Sequence, residues 1–249
     1  MFFEHDGVRI HYEVKGEGAP LLLLHGWGGK IESFLPVIRD FSDKKQVIAL
    51  DFPGHGESAE PGRVWGVPDF TEAVYQLIRH LGIEKLDVVA HSFGGRVAIY
   101  LASHHPECVN RMALTGCAGI PNKGTGRAIK KKLFGALKGL ADSEFAQKTG
   151  LREAAVKLMG SADYRALSPE MRKTFSAVIE QDLTEYLPEI QCPVILVWGV
   201  NDTETPIWMG EIMEQKIPDA ALIRFNGAGH FAYLDLYPQF RAILESFFK

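Results

Sequence analysis

The stretch Val88-Val89-Ala90-His91-Ser92-Phe93-Gly94-Gly95-Arg96-Val97-Ala98 changes its period in mid-run. Leu86 to Ala90 is short and rich in β-branched residues, the pattern of a strand buried on both faces. From Phe93 onward the apolar residues Val97, Ala98, Tyr100, Leu101 and Ala102 recur at helical spacing as far as His104. Only a very tight turn fits between the two, with Ser92 at its apex. Such a turn strains the serine backbone and points its hydroxyl away from the chain. It also crowds the positions two before and two after the serine, where Ala90 and Gly94 are small enough. The opening of the following helix offers unpaired N–H groups beside Oγ, suited to a developing oxyanion. A serine that only capped a helix would need no partners, so the reading turns on what the rest of the chain supplies.

The pentapeptide Ala90-His91-Ser92-Phe93-Gly94 resembles the nucleophile elbow G-x-S-x-G of the α/β-hydrolase superfamily, with alanine in place of the first glycine. The resemblance implies an α/β fold with a mostly parallel central sheet flanked by helices. Asp51 to Ser58, Asp-Phe-Pro-Gly-His-Gly-Glu-Ser, is similar to the D-x-P-G-x-G-x-S signature of the same superfamily. Its proline and glycines make a compact turn, and its role is read as structural, His55 included. His25-Gly26-Trp27-Gly28-Gly29 follows the buried strand Leu21 to Leu24, and in the family such a loop supplies an oxyanion-hole amide. That amide maps to the N–H of Trp27 and its companion to the N–H of Phe93. One such donor is typically worth about 2.7–4 kcal/mol of transition-state stabilisation. His25 itself is read as a packing and hydrogen-bonding residue.

Outward from these motifs, strand and helix alternate. Val8 to Val14 alternates apolar and polar residues, as a half-exposed edge strand does, and Gly16, Gly18 and Pro20 are expected to break it. Val47 to Asp51 and Arg111 to Thr115 read as strands, and Phe70 to Leu81 as an amphipathic helix closed by Gly82. The rhythm stops at Gly116 and resumes at Pro193. Val194 to Trp198 and Ala221 to Phe225 are the last two strands, and Pro238 to Phe247 is a closing helix with apolar Phe240, Ile243, Leu244 and Phe247. Residues 119–160 carry nine Lys or Arg against three Asp or Glu, whereas the whole chain is net −4. That shift predicts a small helical cap over 119–187, inserted into a core made of 1–118 and 188–249. The basic run Arg127 to Lys132 reads as a solvated face, or else as a lure for an anionic acyl substrate or a membrane surface.

Two more residues complete the chemistry. Asp202 follows a strand in the turn Gly199-Val200-Asn201-Asp202, at the sheet edge where α/β proteins place ligands. His230 follows the last strand after Asn226-Gly227-Ala228-Gly229. A serine hydroxyl needs a base of near-neutral pKa to attack a carbonyl, and imidazole supplies it. The imidazolium then needs a fixed negative partner that also selects its tautomer, a role assigned to Asp202 with Glu204 as reserve. The order Ser92, Asp202, His230 is that of the resembled family. The expected activity is ester or thioester hydrolysis through an acyl-enzyme, a carboxylesterase-like reaction. C–C bond hydrolysis, perhydrolysis and acyl transfer on the same residues stay open, as does a non-catalytic receptor of the same fold. Ile129, Leu133, Phe134 and Leu137 of the cap, with Trp27 and Phe93, are the expected acyl pocket.

Bulk properties set the frame. A chain of 249 residues, 46% hydrophobic and 23% charged, can bury one large core. Its net charge of −4 argues against general nucleic-acid binding; the resemblance to α/β-hydrolases implies a small acyl compound as partner. No apolar stretch approaches the roughly 20 residues of a membrane span, and Met1 to Asp6 lacks the pattern of a signal peptide. Cys108, Cys117 and Cys192 have no metal or redox spacing, so a reducing, cytoplasmic setting is expected. No cofactor or metal is expected, since Gly124-Thr125-Gly126 follows no strand and Gly28-Gly29-Lys30 lacks phosphate-loop spacing.

Overall fold

The computed structural model describes residues 1–121 and 167–249. Its strands are β1 Phe2–His5, β2 Val8–Lys15, β3 Ala19–Leu24, β4 Lys45–Leu50, β5 Leu86–His91, β6 Val109–Thr115, β7 Val194–Gly199 and β8 Ala220–Phe225. They form one sheet in the order β1-β2-β4-β3-β5-β6-β7-β8. The pairs β1–β2 and β2–β4 are antiparallel, and every pair from β4–β3 to β7–β8 is parallel. The expected α/β-hydrolase fold, a mostly parallel sheet with helices on its faces, is the one found.

The helices are α1 Leu35–Phe41, α2 Val67–His80, α3 Phe93–His104, α4 Pro169–Glu180, α5 Trp208–Lys216, α6 Ala232–Asp235 and α7 Tyr237–Phe247. Strand alternation sends side chains to two separate cores. Leu22, Leu24, Ile48, Val88, Met112 and Leu114 point to the face covered by α2, α3 and α5. Leu21, Leu23, Val47, Val89, Ala113 and Val197 point to the opposite face, against Val37 and Ile38 of α1 and Phe240 and Leu244 of α7. Each side chain buried in this way contributes about 1.5–3 kcal/mol, so the central strands are rigid supports for whatever their ends carry.

Some boundaries differ from the pattern reading. Pro20 lies inside β3, because as a strand's second residue it sits where a missing N–H is tolerated. β1, α1, α5 and α6 are additional elements, and because β1 pairs with β2, the strand expected at the edge, Val8 to Val14, lies one place inside it. Helix α4 starts at Ser168, whose Oγ accepts the Met171 N–H at 3.2 Å, with Pro169 at the first helical position. It is fastened to the core by the Trp65 N–H, which donates to Thr174 Oγ1 at 3.1 Å. Ile129, Leu133, Phe134, Leu137, the glycine pair around Thr125 and the basic run 127–132 lie outside the described residues.

Candidate active site

Strand β5 is buried along its whole length and delivers Ser92 to the sheet edge. Ser92 has φ 50° and ψ −110°, and only it and Asp6 among the described non-glycine residues have positive φ. Such a conformation costs on the order of 1–3 kcal/mol and persists because the surroundings enforce it. Its N–H donates to Thr115 O at 3.1 Å, and its carbonyl accepts from Gly95 N at 3.1 Å and Ala118 N at 3.0 Å. Gly94 is required by contact: a Cβ there would stand 2.2 Å from the backbone oxygen of Leu24. Ala90, buried in β5, fits where the family has glycine.

The geometry brings the three separated residues together. Ser92 Oγ lies 3.0 Å from His230 Nε2. His230 Nδ1 lies 2.9 Å from Asp202 Oδ2. The second Asp202 oxygen accepts the N–H groups of Glu204 and Thr205, each at 2.9 Å. Burial pushes the Asp202 carboxyl up, but the bonds from His230 and the Thr205 N–H outweigh it and hold the pKa below the ordinary carboxylate value. A carboxylate so held fixes the proton of His230 on Nδ1 and leaves Nε2 as an acceptor facing Ser92.

Glu204, the reserve acid, is not behind the imidazole. Its Oε2 sits 3.4 Å from Nε2, on the Ser92 side, and its side chain is 67% exposed. Of the two carboxylates, Asp202 is the one bonded to Nδ1.

Two supports were not singled out from sequence. Thr205 is buried, and its hydroxyl lies 2.8 Å from Asp202 Oδ2 and 3.0 Å from Gly116 O. The Asp-x-x-Thr spacing after a strand is the signal that could have found it. His91 donates from Nε2 to the backbone oxygen of His230 at 3.0 Å, and its ring lies 4.8 Å from that of His230. Burial and the neighbouring His230 lower its pKa to about 3, so it is a neutral strut. A histidine beside a serine carries no such signal by itself.

Ser92 and His230 line a cavity of about 570 Å³. Trp27 and Phe93, the candidate oxyanion-hole residues, line it too, with ring centroids 5.2 Å apart. The Phe93 N–H opens α3 and so has no acceptor within its own helix. Ile120, Phe175, Val178, Ile179 and Met209 supply much of the apolar wall among the described residues. Phe175, Val178 and Ile179 come from α4, where an apolar stripe with Met171 at helical spacing was there to be read.

The other histidines near the site are structural. His25 Nδ1 donates to Gly26 O at 2.7 Å, and its Nε2 accepts the Phe52 N–H at 3.0 Å. Burial lowers its pKa to about 3. His55 donates to Pro53 O at 3.1 Å and packs edge-on against Trp27. Asp51 collects the Ile31 and Glu57 N–H groups and His11, which orders the loops on either side. Among the described residues, no group of His, Cys, Asp or Glu is placed to hold a metal ion, and no helix is long and apolar enough to cross a membrane.

Comparison with known proteins agrees with this architecture. A family model described as alpha/beta hydrolase fold matches residues 19–155, more than half of the chain, and one described as TAP-like protein matches 175–248. The chain is 29% identical to a pimeloyl-[acyl-carrier protein] methyl ester esterase of Chromobacterium violaceum, covering 96% of this chain and 98% of that one. It is 28% identical to a 2-hydroxymuconate semialdehyde hydrolase of Pseudomonas putida, covering 97% and 91%. Among eight of its curated relatives it spans from 66% to 98% of their length. A solved structure of an N-acyl homoserine lactone degrading enzyme, Est816, superposes with a TM-score of 0.77 at 25% identity, over 99% of this chain and all of that one. With the sheet order, the strained serine turn and these matches together, the chain belongs to the α/β-hydrolase family.

Proposed function

We propose that this chain is a serine hydrolase that cleaves carboxylic ester bonds, thioesters included, through an acyl-enzyme. The observation that carries the reading is the unbroken chain Ser92 Oγ, His230 Nε2, His230 Nδ1, Asp202 Oδ2, at 3.0 and 2.9 Å, on the wall of a cavity with a large apolar face. In this mechanism Ser92 Oγ attacks the ester carbonyl while its proton passes to His230 Nε2. Asp202 balances the imidazolium, and the N–H groups of Trp27 and Phe93 donate to the oxyanion. His230 then returns the proton to the departing alcohol or thiol. Water, deprotonated by the same nitrogen, attacks the acyl-enzyme and restores Ser92 as the acid leaves.

The apolar walls favour an uncharged acyl chain over a polar one. Similarity to a methyl ester esterase supports ester cleavage, and similarity to a semialdehyde hydrolase keeps C–C cleavage as the second reaction for the same residues. Residues 119–187 form the cap in this reading, and a small acyl compound is the partner. Three free, buried cysteines suit a reducing, cytoplasmic setting.

The test is turnover of p-nitrophenyl esters from acetate to decanoate by wild type and Ser92→Ala. The expected result is hydrolysis that falls about a millionfold in kcat in the variant. Turnover of a vinylogous diketone but of no ester would replace this reading with the C–C reaction. Binding of acyl compounds without turnover of either would make the chain a receptor.

A further inference from the structure

Arg96 is a buried cation that the mechanism above does not use. It stands four residues after Ser92, so it lies on the same face of α3 one turn further on. Its Nη1 donates to Gln181 O at 2.8 Å and its Nη2 to Ile179 O at 3.4 Å. These carbonyls belong to the C-terminal end of α4 and the residue after it, where a helix has no acceptors' partners of its own and carries partial negative charge. A planar guanidinium can serve two such oxygens at once, which a lysine ammonium does less well. Arg96 also lines the cavity that holds Ser92. Gln181 is fixed a second time, by its Oε1, which accepts the Val67 N–H at 3.3 Å.

We propose that Arg96 is a positioning residue: it sets the register of α4 against α3, and thereby the distance of the acyl-pocket wall from Ser92. Val178 and Ile179 stand on the last turn of the helix whose end Arg96 holds, and Phe175 one turn before them. The helix is also fastened near its middle through Thr174 and after its end through Gln181. Releasing the end lets those side chains shift relative to Ser92. A short acyl group barely meets that wall, whereas a long one is held by it. Arg96 is thus assigned to substrate selection by chain length and to no step of proton transfer.

This inference rests on Ser92 being the nucleophile. Its test compares kcat/KM for p-nitrophenyl octanoate with that for acetate, in wild type, Arg96→Met, Arg96→Lys, Phe175→Ala and the double variant Arg96→Lys with Phe175→Ala. Arg96→Met is expected to lower the octanoate-to-acetate ratio about tenfold, mainly through the KM for octanoate, and Arg96→Lys to recover part of it. Once Phe175 is truncated, the change from Arg96→Lys should have little further effect on the ratio, because both act through one wall. If Arg96→Met does not fold, the lysine variant and the cycle still decide the matter. An unchanged ratio in folded variants, or fully additive effects, overturns the proposal. Should wild type turn over no ester, the same ratio is read from labelling rates with octyl and ethyl fluorophosphonates. In that event the ester reading fails while the role of Arg96 stands or falls on its own ratio.

Discussion

A carboxylate that is buried and still ionised must be surrounded by donors, and Asp202 is. The N–H groups of Glu204 and Thr205, the Thr205 hydroxyl and His230 all converge on it. Because its pKa is depressed in the folded chain, its contribution to stability is present above the ordinary value of about 3.9 and is lost as pH falls below that. Asp202→Asn keeps the shape but can present an amide N–H to Nδ1, which selects the wrong tautomer. The expected loss is about 10⁴ in kcat with KM little changed, from steady-state kinetics on an ester substrate. Parity with wild type would remove Asp202 from the site. His91→Phe keeps the ring but drops the bond to His230 O, and the expected cost is about tenfold in kcat, the equivalent of roughly 1.4 kcal/mol. No change in kcat would reduce His91 to packing. Ser92, Asp202 and His230 were legible because each follows a strand in a glycine-marked turn. Thr205 is marked only by its spacing of three from Asp202, and His91 by nothing local, since its role is a bond to a segment remote in sequence.

At the scale of elements, the elbow is a strand and a helix forced close to a neighbouring strand. Gly94 faces the Leu24 backbone oxygen, which cannot yield as a flexible side chain could. Gly94→Ala is therefore expected to destabilise by about 1–3 kcal/mol, measured by denaturant unfolding; wild-type stability would show that the turn has slack. Ala90→Gly restores the usual motif and should keep activity while losing about 0.5–1 kcal/mol, because glycine in a strand gives up more chain entropy. The central strands could be read from sequence because their apolar runs are short and bounded, as Leu21 to Leu24 and Leu86 to Ala90 are. Helix α1 could not: its seven residues hold Pro36, Arg39 and Asp40. In α5 the apolar residues Trp208, Met209, Ile212 and Met213 do recur at helical spacing, but over barely two turns and after the loop that carries Asp202. The pocket wall from α4 is a product of tertiary placement, and pattern alone offered the helix but not its target.

For the whole molecule, the sheet order does the assembling. Strands β5, β6, β7 and β8 lie side by side and parallel, so their C-terminal ends share one edge. Ser92 and His230 meet there although 138 positions separate them. The same packing buries His25 and His91 in neutral form, with pKa values lowered to about 3. The unfolded chain binds protons at these residues below about pH 6.5 and the folded chain does not, so stability is expected to fall as pH drops from about 6.5 toward 3. Each histidine contributes a slope of about 1.4 kcal/mol per pH unit in that window. Unfolding curves at pH 7, 6 and 5 check this, and a flat profile would mean that these rings accept protons in place. Chain order foretold which side chains the sheet gathers; the wall they face was settled only by packing. That these remote residues make Ser92 a nucleophile can be read from peptide mapping after treatment with a fluorophosphonate. One covalent adduct on Ser92, absent after His230→Ala, is the expected result. A protein left unmodified at Ser92, or modified equally well without His230, would contradict the account.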